Sequence, residues 1–213
     1  MTRGEEGVVR HARALNPDID VVLMHFVDPG KMAELREGET PEVIARHEGV
    51  AEAYGLPSLD LAREVTGRID AGQFTWEEDF KNLHPSPFGQ RLYAASIRRL
   101  LSAAWARPAV DAAPARDLPA PLDPFSYEGG QLIGLSQADA LSGFELVERC
   151  DPSADGVGGG VRAGFHGVPM LVGVAPGASL SLSFEGRAVG LWVAAGPDAG
   201  ALDYRVDGGP WRR

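Results

Sequence analysis

The sequence predicts an α/β fold with parallel strands, followed by an all-β half. Three observations predict it. Segments of helical and strand character alternate over residues 1–105. A run rich in proline and alanine interrupts the chain at 106–126. Residues 1–105 then hold 9 of the 27 glycines and the remainder holds 18, as expected where short strands are joined by turns.

The elements of the first half follow in order. Val8, Val9, Ala12 and Leu15 stand at helical spacing, so Glu5–Leu15 reads as a helix stopped by Asn16-Pro17. Ile19–Val27 (IDVVLMHFV) is apolar and rich in β-formers, the pattern of a strand buried on both faces. Asp28-Pro29-Gly30 ends it with turn chemistry. Thr40 is a candidate N-cap with Pro41 at the first helical position, and the helix runs to Tyr54, where Gly55 closes it. Leu56–Leu59 is a short strand and Asp60–Ile69 a further helix. A loop spans Gly72–Pro85. Ser86-Pro87 then repeats the cap-and-first-turn signature, and a helix continues to Trp105. This alternation predicts parallel strands joined by right-handed crossovers.

The prolines at 108, 114, 119, 121 and 124 forbid a helix over 106–126, which reads as an extended linker. The domains expected are therefore 1–105 and 127–213. In the second part, Leu132-Ile133, Phe144–Arg149, Val168–Val174, Ser179–Phe184, Ala188–Ala194 and Leu202–Val206 are the candidate strands. Serine alternates with apolar residues in Ser179–Phe184 (SLSLSF), the sign of a half-buried strand. Asp207-Gly208 signals a hairpin turn, with too few residues after it for a partner strand. Two strands in 105 residues also make an incomplete sheet. Both halves are expected to be partial domains.

Composition narrows the function. The net charge of −10 argues against nucleic acid and against anionic membrane surfaces, which both select Lys and Arg. A single cysteine, Cys150, excludes an internal disulfide and a multi-cysteine zinc site, and it reads as a small buried residue. No apolar run is long enough for a membrane span. The acidic N-terminus lacks the apolar core of a signal peptide, so localisation stays open. No metal and no cofactor are expected. Gly129-Gly130-Gln131 carries no function in an acidic chain, and Gly156–Gly160 lacks the Lys-Ser/Thr of a phosphate loop.

Of the five histidines, His11 and His47 read as surface residues on helices and His25 as a satisfied histidine within the strand. None of these stands at metal-ligand spacing with a third ligand. His84 differs. It precedes a helix in Asn82-Leu83-His84-Pro85-Ser86-Pro87, where two prolines restrict its backbone. A histidine held in this way is a candidate general base, because it titrates near neutral pH.

The segment LHPSPFGQRLYAASIRRLL (Leu83–Leu101) resembles the last motif block of the SGNH or GDSL-type ester hydrolases. In that block a His-Pro stands before the C-terminal helix, and the histidine is the base for a serine nucleophile. The upstream order, with Tyr54–Ala62 (YGLPSLDLA) before a long loop, fits as well. The resemblance covers about residues 5–103. It implies the C-terminal part of a three-layer α/β/α domain, a hydrolase or esterase acting on a small-molecule or carbohydrate ester, and His84 as general base.

The departures from the family are specific. Neither the Gly-Asp-Ser block of the nucleophile nor the Gly-x-Asn-Asp block of the oxyanion hole occurs in the sequence. The expectation is therefore a hydrolase fragment, inactive alone, since nucleophile, base and oxyanion donors act as a unit. The family's acid stands three residues before the histidine, and that position here is Lys81. Asp79 is the alternative orienting acid if the loop bends; otherwise a backbone carbonyl orients His84 in a dyad. Glu77–Asp79 reads equally as an acidic helix start. Ser58, Ser86 and Ser96 are not nucleophile candidates.

Residues 125–213 resemble the accessory β-sandwich, of jelly-roll type, found beside some carbohydrate-active members. The resemblance rests on Ser183–Val193 and on Asp203–Gly208. Trp192 and Trp211 are its candidates for stacking on a sugar, with a core role the plainer expectation for Trp192. The alternative function is a non-catalytic carbohydrate- or protein-binding chain with a vestigial hydrolase half.

Overall fold

The computed structural model describes residues 1–108, 118–151, 162–173, 175–194 and 200–213. The GVGGG run and Val174 lie outside the described residues. Helix α1 spans Thr2–Leu15 and starts three residues earlier than the apolar spacing indicated. Its buried face is Glu6, Val9, Arg10 and Arg13, while Val8 and Leu15 are exposed. A face of mixed charge and apolar character gives a weaker hydropathy signal than the one the fold uses.

Strand β1 (Leu23–Met24) pairs in parallel with β2 (Ser58–Leu59), Leu23 opposite Ser58. The expected nine-residue strand thus pairs over two residues. Its hydrogen bonds run from Leu23 N–H to Pro57 C=O and from His25 N–H to Leu59 C=O. Burial alternates: Leu23, His25 and Val27 are buried, Met24 and Phe26 exposed. The expectation of burial on both faces is corrected here. One side of β1 is buried, and the Met24–Phe26 side stays largely exposed.

Asp28-Pro29 does not end in a turn but opens helix α2 (Pro29–Arg36). The Asp28 carboxylate accepts from Lys31 N–H at 3.0 Å, and Pro29 supplies a first helical residue whose missing N–H costs nothing. Helix α3 (Glu42–Tyr54) starts one residue later than expected, with Pro41, not Thr40, at the cap position. Gly55 closes it in the left-handed region, φ 59°. Helix α4 (Leu61–Asp70) is capped by Asp60, which accepts from Arg63 N–H at 2.9 Å. The loop expected over Gly72–Pro85 contains a π-helical turn at Trp76–Phe80. Helix α5 (Pro87–Trp105) begins at the Ser86 cap, as its sequence indicates.

Two apolar clusters support these elements. Val27, Met32, Ile44, Leu61, Val65, Phe74, Phe80 and Tyr93 bring α2 to α5 together. Val9, Leu23, Val50, Ala51, Tyr54 and Leu56 join α1, β1 and α3. Leu118 packs on this second cluster, which places part of the expected linker against the helical unit.

The chain divides into Met1–Gly130 and Gln131–Arg213, so the boundary falls beyond the proline-rich run. Within the first unit, α1 holds the 118–130 segment through polar contacts. Glu6, fully buried, accepts from Leu122 N–H at 2.5 Å, Asp123 N–H at 3.1 Å and the Tyr54 hydroxyl at 2.7 Å. Arg10 donates to Pro119 C=O, the Tyr54 oxygen and the Glu128 carboxylate. Proline prevents helix there, but the segment's remaining N–H and C=O groups still need partners, and α1 supplies them.

Among its described residues the second unit carries two antiparallel pairs. Strand β3 (Ala140–Ser142) pairs with β6 (Ser179–Ser181), and β4 (Glu145–Cys150) with β5 (Val168–Val172). Strand β6 is exposed throughout, not half-buried as its alternation suggested. Leu132-Ile133 and Ala188–Ala194 form no strand. The turn at Asp207-Gly208, both at positive φ, does find a partner: Tyr204 and Arg212 bridge through two 2.8 Å hydrogen bonds. This is an isolated bridge, and no strand forms after the turn. Cys150 is buried.

Candidate functional site

The loop that carries His84 is tied at each end by turn chemistry. Thr75 caps the π-helical turn, its hydroxyl accepting from Glu78 N–H at 3.1 Å. Asp79 answers from within the turn, its carboxylate accepting from Thr75 N–H at 2.8 Å. The pair works like a capping box, each side chain satisfying the other's neighbouring backbone donor. Phe80 anchors the turn in the core: it is fully buried, stacked on Trp76 at 5.1 Å and edge-on to Tyr93 at 5.7 Å.

Lys81 follows at φ 82°, ψ −52°. Asn82 N–H donates to Phe80 C=O at 3.2 Å across it, which makes Lys81 the centre of a γ-turn with positive φ. That conformation is strained for any residue with a Cβ. Asn82 then accepts from His84 N–H through its side-chain oxygen at 2.7 Å. Ser86 N–H donates to Phe80 C=O at 3.0 Å, and the Ser86 hydroxyl donates to Asp79 C=O. The same hydroxyl oxygen accepts from Phe88 and Gly89 N–H to start α5. Gln90 closes the set, donating to Pro85 C=O at 3.1 Å.

His84 itself is exposed, and among the described residues nothing hydrogen-bonds its imidazole. Asp79 and His84 are not brought together through their side chains, because the Asp79 carboxylate is spent on Thr75. Asn82 was missed from sequence as a loop-fixing residue. An Asn two residues before a His-Pro, able to form an Asx turn, is the signal that marks it.

Tyr93, within α5, meets the residues that follow β1. Val27 N–H donates to the Tyr93 hydroxyl of α5 at 3.4 Å, and Phe26 lies edge-on to Tyr93 at 5.3 Å. Burial raises the Tyr93 phenol above its ordinary range, so it stays neutral. The carboxyl ends of parallel strands are where α/β folds build ligand clefts.

The other candidates have structural employment. Ser58 donates to Glu48 at 3.0 Å and Ser96 to Glu64 at 2.7 Å. His25, buried, places Nε2 2.6 Å from Glu48. His47 is half-buried, 3.8 Å from Glu5, and not a plain surface residue. His11 donates to Glu128 C=O at 2.9 Å, so it holds the 118–130 segment and is not merely solvated. His166 Nδ1 lies 3.0 Å from Asp151. Trp192 is 81% exposed, against the expectation of a core tryptophan. Trp211 is exposed too, with the Arg205 guanidinium 4.9 Å over its ring.

Among the described residues no group of three or more His, Cys, Asp or Glu side chains converges as a metal site. No helix among them is long and apolar enough to cross a membrane. No family model, no curated protein and no solved structure matches the chain.

Proposed function

We propose that the chain is part of an SGNH-type ester hydrolase in which residues 1–105 carry the general base, His84. One observation carries this reading: an exposed imidazole on a cross-braced loop that leads into a capped helix. His84 takes the proton of a serine hydroxyl as it attacks the ester carbonyl. It then returns that proton to the departing alcohol. The nucleophile and the oxyanion donors of this reading come from a segment other than these 213 residues, since neither motif is present. Asp79 contributes by holding the turn and does not orient the imidazole.

Ester hydrolysis tests it in two arms. The purified chain alone shows no turnover of an aryl acetate above the solution rate. Joined to a hydrolase segment that carries Gly-Asp-Ser and Gly-x-Asn-Asp, it gains turnover that His84→Ala removes. Gained turnover indifferent to His84→Ala overturns the role of His84. Turnover by the chain alone, abolished by His84→Ala, overturns the division of the machinery between segments.

The binding alternative rests on a different observation, the exposure of Trp192 and Trp211 in the second unit. Saturable binding of an oligosaccharide that Trp192→Ala abolishes supports it.

A further inference from the structure

A cleft of about 480 Å³ opens between α2 and the segment that follows α4. Its volume is within the range of small-molecule sites, roughly 300–1,000 Å³. Met32, Ile69 and Phe74 supply apolar lining, Trp76 an aromatic one, and Arg36 and Glu77 bring charge. Neither His84 nor Asp79 takes part in it, so it is independent of ester hydrolysis.

The two charged residues of the lining are engaged differently. Arg36 is engaged by Asp70, with Nε at 2.9 Å and Nη2 at 2.7 Å from the same oxygen. Lys31, at the start of α2, is engaged by Asp28 at 2.5 Å. Arg68 lies over the Phe74 ring at 5.6 Å and 3.7 Å from Glu64. Each nearby cation therefore already faces a carboxylate. Glu77 is the exception: among the described residues it makes no hydrogen bond and no ion pair, and only the longer-range field of Arg36 reaches it. The Glu77 carboxylate thus keeps its hydrogen-bonding capacity, and Arg36, its nearby cation, is bonded to Asp70 instead.

The aromatic wall matches that charge. Phe80 covers one face of the Trp76 indole, with the ring planes 23° apart, and this stacking holds the ring in place. Trp76 remains half-exposed and lines the cleft. An indole with one face buried and adjacent surface open, next to an unpaired carboxylate, suits a cation attached to an apolar body. We propose that the cleft binds organic ammonium ions, with the cationic head between Trp76 and Glu77 and the apolar body on Met32, Ile69 and Phe74. An organic carboxylate is disfavoured, because Arg36 is already committed to Asp70.

The test is an NMR titration of the full chain labelled with ¹⁵N, using benzyltrimethylammonium as the probe. The Trp76 indole N–H signal is identified by its loss in Trp76→Phe. It is expected to shift saturably, with a Kd on the order of 1–10 mM. Glu77→Gln weakens binding about threefold or more, as do replacement of the probe by neutral benzyl alcohol and by anionic 3-phenylpropionate. Glu77 is exposed and makes no contact that the fold uses, so its variant folds; an unchanged spectrum away from the cleft verifies this. Four outcomes overturn the proposal. One is no saturation up to about 50 mM probe. Another is binding of 3-phenylpropionate as tight as that of the cation. The third is binding unchanged by Glu77→Gln, and the fourth is equal shifts at the exposed Trp192 and Trp211 indoles, which would mark unspecific stacking.

Discussion

Gly89 sits face to face with Phe80: a Cβ added at Gly89 would lie 2.8 Å from Phe80 Cδ2 and 2.6 Å from Pro85 Cβ. Phe80 is fully buried and cannot swing away. Pro85 is the neighbour of His84. The first turn of α5 therefore presses on the loop with no room for a methyl group. Gly89→Ala is expected to destabilise the helical unit by about 1–3 kcal/mol, the ordinary cost of overpacking. Loss of the helical circular-dichroism signal at lower urea concentration measures it. An unchanged midpoint would show that Pro85 moves freely, and with it the His84 loop.

Lys81 holds a positive φ without the freedom of glycine. The strain at such positions amounts to about 1–3 kcal/mol, of which added unfolded-state entropy returns about 0.4–1 kcal/mol when glycine is introduced. Lys81→Gly is therefore expected to stabilise by about 1 kcal/mol, read as a higher urea midpoint. Lys81→Val moves the midpoint the other way, because a β-branched residue tolerates this region least. A lower midpoint in the glycine variant would mean that the lysine side chain contributes contacts outweighing its strain.

Rules that act within four residues were readable. Ser86-Pro87 announced α5, and Gly55 announced the end of α3, because a cap and a left-handed closure need only local chemistry. Asp28-Pro29-Gly30 was ambiguous, since Asp and Pro open a helix with the same chemistry that starts a turn. The extent of β1 was not readable, because pairing depends on how many residues the partner offers, and β2 offers two. The docking of 118–130 was invisible for a similar reason. Its partners Glu6 and Arg10 are more than a hundred positions away, and nothing local in Leu118-Pro119-Ala120-Pro121 declares them. At the site, His84 before a capped helix was legible, while Asp79's commitment to Thr75 was not, because it depends on the π-helical turn.

Glu6 links acidity to the docking of that segment. Burial opposes its ionisation, but hydrogen bonds from Tyr54, Leu122 and Asp123, with the charge of Arg10, outweigh burial and hold its carboxyl below the ordinary glutamate range. A carboxyl depressed in the folded state contributes stability that is complete above its unfolded pKa. That stability is lost as pH falls through the lower folded value. Asp28, with Lys31 beside it, and Glu64, with Ser96 and Arg99, are depressed against their own burial in the same direction. The urea midpoint of the helical unit is therefore expected to fall between neutral pH and about pH 3. Glu6→Gln lowers the midpoint at neutral pH, where the charge is lost, and flattens the fall. A Glu6→Gln curve parallel to that of the parent chain would assign the acid sensitivity to the other carboxylates.

Asp79 and Thr75 make a sharper case, because the charge of the carboxylate and its acceptor oxygen can be removed separately. Asp79 accepts from Thr75 N–H at 2.8 Å and from its hydroxyl at 3.4 Å. Asp79→Ala removes the acceptor and is expected to cost about 1 kcal/mol of stability, as loss of a cap does. Asp79→Asn keeps an acceptor oxygen for Thr75 and is expected to leave the urea midpoint close to that of the parent chain. A midpoint lowered as far in Asp79→Asn as in Asp79→Ala would mean that the negative charge, and not the acceptor oxygen, holds the turn. A midpoint lowered in Asp79→Ala alone leaves Asp79 as the brace of the turn through its bond to Thr75.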